Sequence, residues 1–231
     1  MTKLLDFPQA FLFDLDGVLL DTEHLHSKAW FLTAAHFGSK LDEKKLLELR
    51  GRRRLDCFNQ INKWLDLKVD IEELKKIHHP ISKKLLSKAH AMPDAENLIK
   101  WCLEKKLLIA IVSSSSLKSF KLKASPHPWL FNIKNKVLGD DPSLINGKPH
   151  PDPFLLAAKR LDVNPKKCWA LEDSESGTKA AIEAGCKVWV LKDKRDKVNW
   201  EIKNPKTQPI FVSSLKIMLK ELNSIYINKV D

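Results

Sequence analysis

No stretch of this sequence approaches the ~20 uninterrupted apolar residues that a membrane-spanning helix requires, which argues against a helical membrane protein. The first ten residues, MTKLLDFPQA, read as too short and too acidic for a secretory leader. Cysteine is sparse: Cys57, Cys102, Cys168 and Cys186 lie far apart and form no CxxC pair. Three of the four fall in apolar segments, so reduced core cysteines in a reducing compartment are expected, not a disulfide framework. The chain also lacks internal repeats, low-complexity segments, a basic tail and any basic motif interleaved with aromatics. The expectation is a soluble cytoplasmic protein, with a monomer as the default.

What is present fits that class. The 231 residues are enough to bury a real core, and 43% hydrophobic with 30% charged content is ordinary for a globular chain. The formal charge of +11 is large. Its lysines are scattered over nearly every segment, and the densest arginine run is only "GRRRL", Gly51 to Leu55. A solvated basic surface is therefore expected, with a field drawing in small anions as the second reading. No nucleic-acid partner and no membrane are expected.

"AFLFDLDG" reads as a buried parallel strand followed by a glycine turn. From about Thr22 to His90 the pattern is helical: Leu25, Ala29, Leu32 and Phe37; Leu46, Leu47 and Leu49; Phe58, Ile61 and Leu65; Leu74, Ile77, Ile81 and Leu85. Pro93 and Asp94 are expected to stop one helix and cap the next. Beyond Asp94, helices and strands alternate: helix Asn97–Lys105, strand Leu107–Val112, a short strand at Lys136–Gly139 and the helix "DPFLLAAKRL". Strand "CWALED", helix "SGTKAAIEAG" and strands "KVWVLK" and "PIFV" follow, before a helix at Ser214–Leu222. The predicted architecture is α/β: a Rossmann-like, doubly wound parallel sheet with an all-helical insertion. Residues 1–21 with 92–231 would form the core, and 22–91 the insertion.

Ligands of such sheets bind beyond the carboxyl ends of the strands. Asp14 and Asp16 follow the first strand, Ser113 follows "LLIAIV", Glu172 and Asp173 close "CWALED", and Lys148 lies in the loop "NGKPHPDPF". Each fragment alone has a plainer reading: a calcium-type loop or turn, a serine cap, an ordinary loop, helix capping. Their shared placement is the signal. Three carboxylates at one sheet edge form a hard-oxygen site suited to Mg²⁺.

In order, "DLDGVLLDTE", "VSSSS", "GKPHPDPF" and "LEDSESGTKAAIEAG" resemble the four motifs of the haloacid dehalogenase superfamily of phosphatases, and the likeness spans nearly the whole chain. Thr22 to His90 then resembles that family's helical cap. The flanks "LGDDP" and "AAKRL" are most similar to the branch containing pseudouridine-5'-phosphatase, with β-phosphoglucomutase a neighbour. The resemblance implies an Mg²⁺-dependent phosphomonoester hydrolase acting on a small phosphorylated metabolite. It implies Asp14 as nucleophile, Asp16 as proton donor and acceptor, and Gly17 as the turn that lets Asp16 move. Mg²⁺ would be held by Asp14, Asp173 and the backbone carbonyl of Asp16, with Glu172 in support. Ser113, Ser114 and Lys148 would bind the phosphoryl group. Specificity would come from the cap, with His26, Trp30 and the loop Arg50–Arg54 as candidates and Arg54 placed for a second anion. Trp30 is alternatively cap core, and His78 and His79 read as surface residues. Hinges are expected near Asp21–Thr22 and Met92–Pro93. The alternative activity is a phosphoglucomutase-like phosphosugar mutase. Such mutases carry a basic residue straight after the serine motif, where this chain has Ser115–Ser116–Leu117 before Lys118.

Overall fold

The computed structural model describes residues 7–64, 70–192 and 208–230, and only the backbone of 228–230. Leu65 and the first six residues of the leader reading lie outside that set.

Strand β1 (Ala10–Phe13) has four consecutive buried residues, as a central parallel strand must. A turn leads to the two-residue strand β2 (Leu20–Asp21), and among the described residues four helices follow. They are α1 (Glu23–His36), α2 (Glu43–Glu48), α3 (Arg54–Trp64) and α4 (Ile71–Leu86). Strand β3 (His90–Ala91) returns antiparallel to β2, with Leu20 opposite Ala91 and Asp21 opposite His90. The chain thus enters and leaves the helical block through one short ribbon, and the two expected hinges flank it.

The block has an apolar cluster of its own, built on Trp30, Ala34, Leu49, Phe58, Ile61 and Leu74. In α4 the expected stripe was Leu74, Ile77, Ile81 and Leu85. The structure instead buries Leu74, His78, Ser82 and Leu86, leaving the other three at intermediate exposure. The apolar count pointed to a neighbouring stripe because two residues on the buried line are polar.

After β3 come α5 (Ala95–Glu104), β4 (Leu108–Val112), α6 (Leu117–Ala124), β5 (Asn135–Val137) and α7 (Asp152–Arg160). Then follow β6 (Cys168–Glu172), α8 (Glu175–Glu183), β7 (Lys187–Leu191), β8 (Ile210–Val212) and α9 (Leu215–Val230). Two expected details differ. Helix α4 ends at Leu86, well before Pro93, because a strand intervenes. Asp94 does precede α5, but in a left-handed conformation (φ 66°) and without a side-chain capping bond.

Among the described residues six strands form one parallel sheet in the order β5-β4-β1-β6-β7-β8. Bulky residues of β1, β6 and β7 (Phe11, Phe13, Trp169, Leu171, Trp189) share a core with α5, α6 and α9. Small or slender residues on the other face (Ala10, Leu12, Ala170, Val188) let α7 and α8 pack through alanines. Each large side chain buried this way contributes roughly 1.5–3 kcal/mol. All four cysteines are buried and free.

The register positions the site. Phe13 is level with Ile111 of β4 and Leu171 of β6, so Asp14 leaves the sheet level with Val112 and Glu172. Strand β1 is also where the winding reverses, so the chain diverges on either side of Asp14 and opens a crevice there.

Candidate active site

Lys148 is fully enclosed beneath the end of β1, only 2% exposed. Its Nζ donates to Asp14 Oδ1 at 2.6 Å, to Glu172 Oε1 at 2.5 Å and to the Val112 carbonyl at 2.9 Å. Burial alone would lower its pKa, but the Asp14 and Glu172 carboxylates outweigh that and hold it above the usual lysine range. Asp14 is pushed the other way. Burial, reinforced by Glu172 and Asp16, raises its carboxyl to about 8 despite Lys148. Asp173 is likewise raised well above the carboxylate range by burial, Glu23 and Asp14.

Carboxylate oxygens of Asp14, Glu172 and Asp173 lie within 4.8 Å of one another. Gly17 keeps the space open: its φ of 80° suits glycine, and a Cβ there would collide with the Asp173 carboxylate. Glu172 is spoken for on both oxygens. Lys148 takes one; the other accepts from the Asp173 N–H at 3.3 Å and the Ser174 hydroxyl at 3.1 Å. Ser174 also caps α8 by accepting from the Gly177 N–H at 3.0 Å, so the capping reading of this segment holds while Glu172 and Asp173 stand beside Asp14.

The Asp16 carboxylate stands apart from that cluster, which leaves only its backbone carbonyl for the expected metal role. Its Oδ1 accepts from Thr22 Oγ1 at 2.6 Å and pairs with His26 Nε2 at 3.2 Å, while its Oδ2 accepts from Ser115 Oγ at 2.9 Å. Lys123 Nζ donates to both oxygens at 2.5 Å and to Ser115 Oγ at 2.7 Å. Burial would raise the Asp16 carboxyl, but Lys123 and His26 overcome it and hold it well below the usual range. Thr22 stands at the N-cap of α1 yet makes no side-chain capping bond there; its hydroxyl serves Asp16 instead.

Lys123 and Ser115 were missed by sequence reading. The available signal was Lys123 on the apolar face of α6, between Phe120 and Ala124, all three buried. Such a lysine needs an anion.

The serine run divides its work. Ser113 is buried and its oxygen accepts from the Ser115 N–H at 3.1 Å. Ser114 was expected to bind phosphate, but its hydroxyl donates to the Gly51 carbonyl at 2.8 Å and so ties this loop to the helical block. Gly51 itself has φ 72°, and a Cβ would strike Ser174 Oγ.

Between the sheet edge and the helical block lies a cavity of about 690 Å³. Asp14, Asp16, Ser113–Ser116 and Lys118 line one side; His26, Trp30 and Arg50–Arg54 line the other. The residues expected to select substrate therefore do face the acids. Trp30 is 4% exposed, belongs to the block's core as its alternative reading had it, and also contributes to the cavity wall. His26 is pushed down to about 4, chiefly by burial, and is neutral. His79 is exposed as expected, but His78 is fully buried, correcting the surface reading. Lys118, the first basic side chain after the serine run, also lines the cavity.

Comparison with known proteins agrees with this geometry. (DL)-Glycerol-3-phosphatase 2 of Arabidopsis thaliana is 31% identical over 190 residues, covering 80% of this chain and 79% of that protein. A Drosophila melanogaster protein named "Probable pseudouridine-5'-phosphatase" is 33% identical over 188 residues, covering 80% and 81%. The structure of a hydrolase from Pseudomonas syringae superposes with a TM-score of 0.80 over 94% of this chain and 99% of that one, at 21% identity, a likeness of fold. Residues 11–191 match the family model described as haloacid dehalogenase-like hydrolase, a span that begins in β1, ends in β7 and takes in every group around Asp14; to that family the chain belongs.

Proposed function

We propose that the chain is an Mg²⁺-dependent phosphomonoester hydrolase acting on a small phosphorylated metabolite such as a sugar or nucleotide phosphate, as a cytoplasmic monomer. The observation that carries this reading is the buried Asp14–Lys148 pair, 2.6 Å apart, with Asp173 close beside it.

The donor set fits the metal. Three carboxylates in one small volume are hard oxygen ligands, and burial leaves two of them strained toward protonation. Asp14, Asp173 and the Asp16 carbonyl would hold the ion, with Glu172 acting through water. When bound, it supplies positive charge that keeps Asp14 ionised and offsets charge on the phosphoryl oxygens.

The remaining chemistry belongs to side chains. An Asp14 carboxylate oxygen attacks phosphorus, the bond from phosphorus to the alcohol oxygen breaks, and an aspartyl phosphate forms. The departing oxygen takes a proton from Asp16. Water then attacks phosphorus, Asp16 accepts its proton, and Asp14 and inorganic phosphate are released. Lys148, held by Asp14, Glu172 and the Val112 carbonyl, offsets charge on Asp14, and the Ser113 loop stabilises the negative phosphoryl oxygens. With both oxygens occupied and its pKa held low, Asp16 is set in this structure as an acceptor. Donation requires it to give up Lys123. From the cap side, Arg54 is placed to meet a second anionic or polar end of the substrate.

A phosphate-release screen over sugar phosphates, nucleotides and polyol phosphates, with and without Mg²⁺, tests the proposal. Glycerol 3-phosphate and pseudouridine 5'-phosphate belong in it because relatives carry those names. Asp14→Asn should reduce release on the order of 10⁴-fold or more. Unchanged turnover would remove Asp14 from its role. Glucose 6-phosphate formed from β-glucose 1-phosphate and a trace of bisphosphate would favour the mutase instead.

A further inference from the structure

His78 has no part in the chemistry above, yet it is fully buried within the helical block. It stacks on Trp30, centroids 3.7 Å apart and planes 19° apart, and meets Phe58 edge-on at 5.3 Å. An Arg54 Nη lies 2.9 Å from His78 Nε2. Guanidinium can only donate, so Nε2 must be the acceptor and the ring proton must be on Nδ1. Nδ1 lies 3.0 Å from Thr33 Oγ1, and the Thr33 hydroxyl in turn donates to the Ala29 carbonyl at 2.8 Å. The direction of every bond in this chain is therefore determined.

The other Arg54 Nη approaches His26 Nδ1 at 3.4 Å, and the guanidinium carbon lies 5.5 Å from the Trp30 ring centre. Among the described residues no carboxylate forms an ion pair with Arg54. Burial, assisted by Arg54, pushes His78 down to about 2, so it remains an uncharged acceptor.

We infer that His78 is a positioning residue that aims the Arg54 guanidinium into the cavity while leaving its charge available to the substrate. A carboxylate in its place would hold Arg54 as firmly but cancel that charge. An apolar residue would leave the charge but not the orientation. The Thr33 hydroxyl and the Trp30 ring complete the device by fixing the tautomer and plane of His78. This deepens, and rests on, the reading of the cavity as the ester-binding site.

Two measurements test it. Nitrogen-15 NMR of histidine- and arginine-labelled protein should show His78 protonated on Nδ1, and the Arg54 Nη groups as distinct, slowly rotating signals. His78→Leu should average those signals, and His78→Gln, which keeps an acceptor, should restore them. In kinetics with the best ester from the screen, His78→Leu should raise KM about tenfold, more than it lowers kcat. The same change made in an Arg54→Met background should add nothing further. A proton on Nε2 would overturn the inference, as would distinct Nη signals in His78→Leu or an undiminished His78→Leu penalty without Arg54. Failure of every ester with the NMR result intact would instead remove the phosphatase reading and leave the His78–Arg54 arrangement standing.

Discussion

Two lysines at the sheet edge and Arg54 on the facing wall of the cavity handle positive charge in opposite ways. At the sheet edge, Lys148 is paired with Asp14 and Glu172, and Lys123 with Asp16, so these two cations are neutralised and hold acids in place. Across the cavity, Arg54 is held by two neutral imidazoles and faces an indole. The first arrangement stores electrostatics for a reaction at a fixed point. The second keeps a charge unspent for whatever enters. On the proposed reading, fixed chemistry and variable recognition belong to two layers of the fold.

The sharpest way to break that contrast is at Lys148. Lys148→Met strips the buried partner from two carboxylates, and phosphate release should fall about 10²–10³-fold. Chemical denaturation should show a loss of about 3–5 kcal/mol, because two acids are left buried without it. A loss of activity with no loss of stability would mean that the sheet-edge charges are not matched as described.

A second test uses pH. Asp14 sits at about 8 in the folded protein against 3.8 for a free carboxyl, so the folded state retains a proton that the unfolded chain gives up. Stability of the metal-free protein should therefore fall as pH rises between those values, and Asp173, also raised, works in the same direction. Asp16 is held low and acts oppositely: its stabilisation is present above 3.8 and is lost as pH falls through its folded pKa. The melting temperature without metal should drop between about pH 5 and about pH 8, and Mg²⁺ should recover it at the upper end. A flat profile that ignores Mg²⁺ would contradict the crowding of acids around Asp14.

The smallest effect compares two glycines of the helical block. Gly38 and Gly51 have nearly the same φ, 71° and 72°, but nothing lies near a Cβ at Gly38 whereas one at Gly51 meets Ser174. Gly38→Ala should cost about 1 kcal/mol of stability and leave turnover alone. Gly51→Ala should carry the same strain and also raise KM several-fold, since the loop bearing Arg50–Arg54 must lift off the sheet edge. Equal kinetics for both would dissociate that contact from substrate binding.

The same division explains what could be read from sequence. Asp14, Lys148, Glu172 and Asp173 leave strand ends or adjoining loops, where an apolar run stops at a polar residue, so alternating strands and helices bring them to one edge by topology. The parallel sheet and the helical insertion were legible for the same reason. Lys123 was not, because its partner Asp16 is 107 residues away and α6 reads as an ordinary helix. His78 was not, because it shares its buried line with Ser82, and two polar residues hide a core face from any count of apolar spacing. The Ser114 link to the helical block was not, because a serine after a strand has no local sign that a loop from another layer will claim its hydroxyl. Contacts between layers decided each of these three.

The account depends on Asp14 meeting phosphorus directly. Rapid acid quenching during turnover, followed by mass spectrometry of the digested protein, should place a phosphoryl group on Asp14, and Asp14→Asn should carry none. A phosphoryl group mapped to another residue, or an Asp14→Asn protein that still turns over, would contradict it.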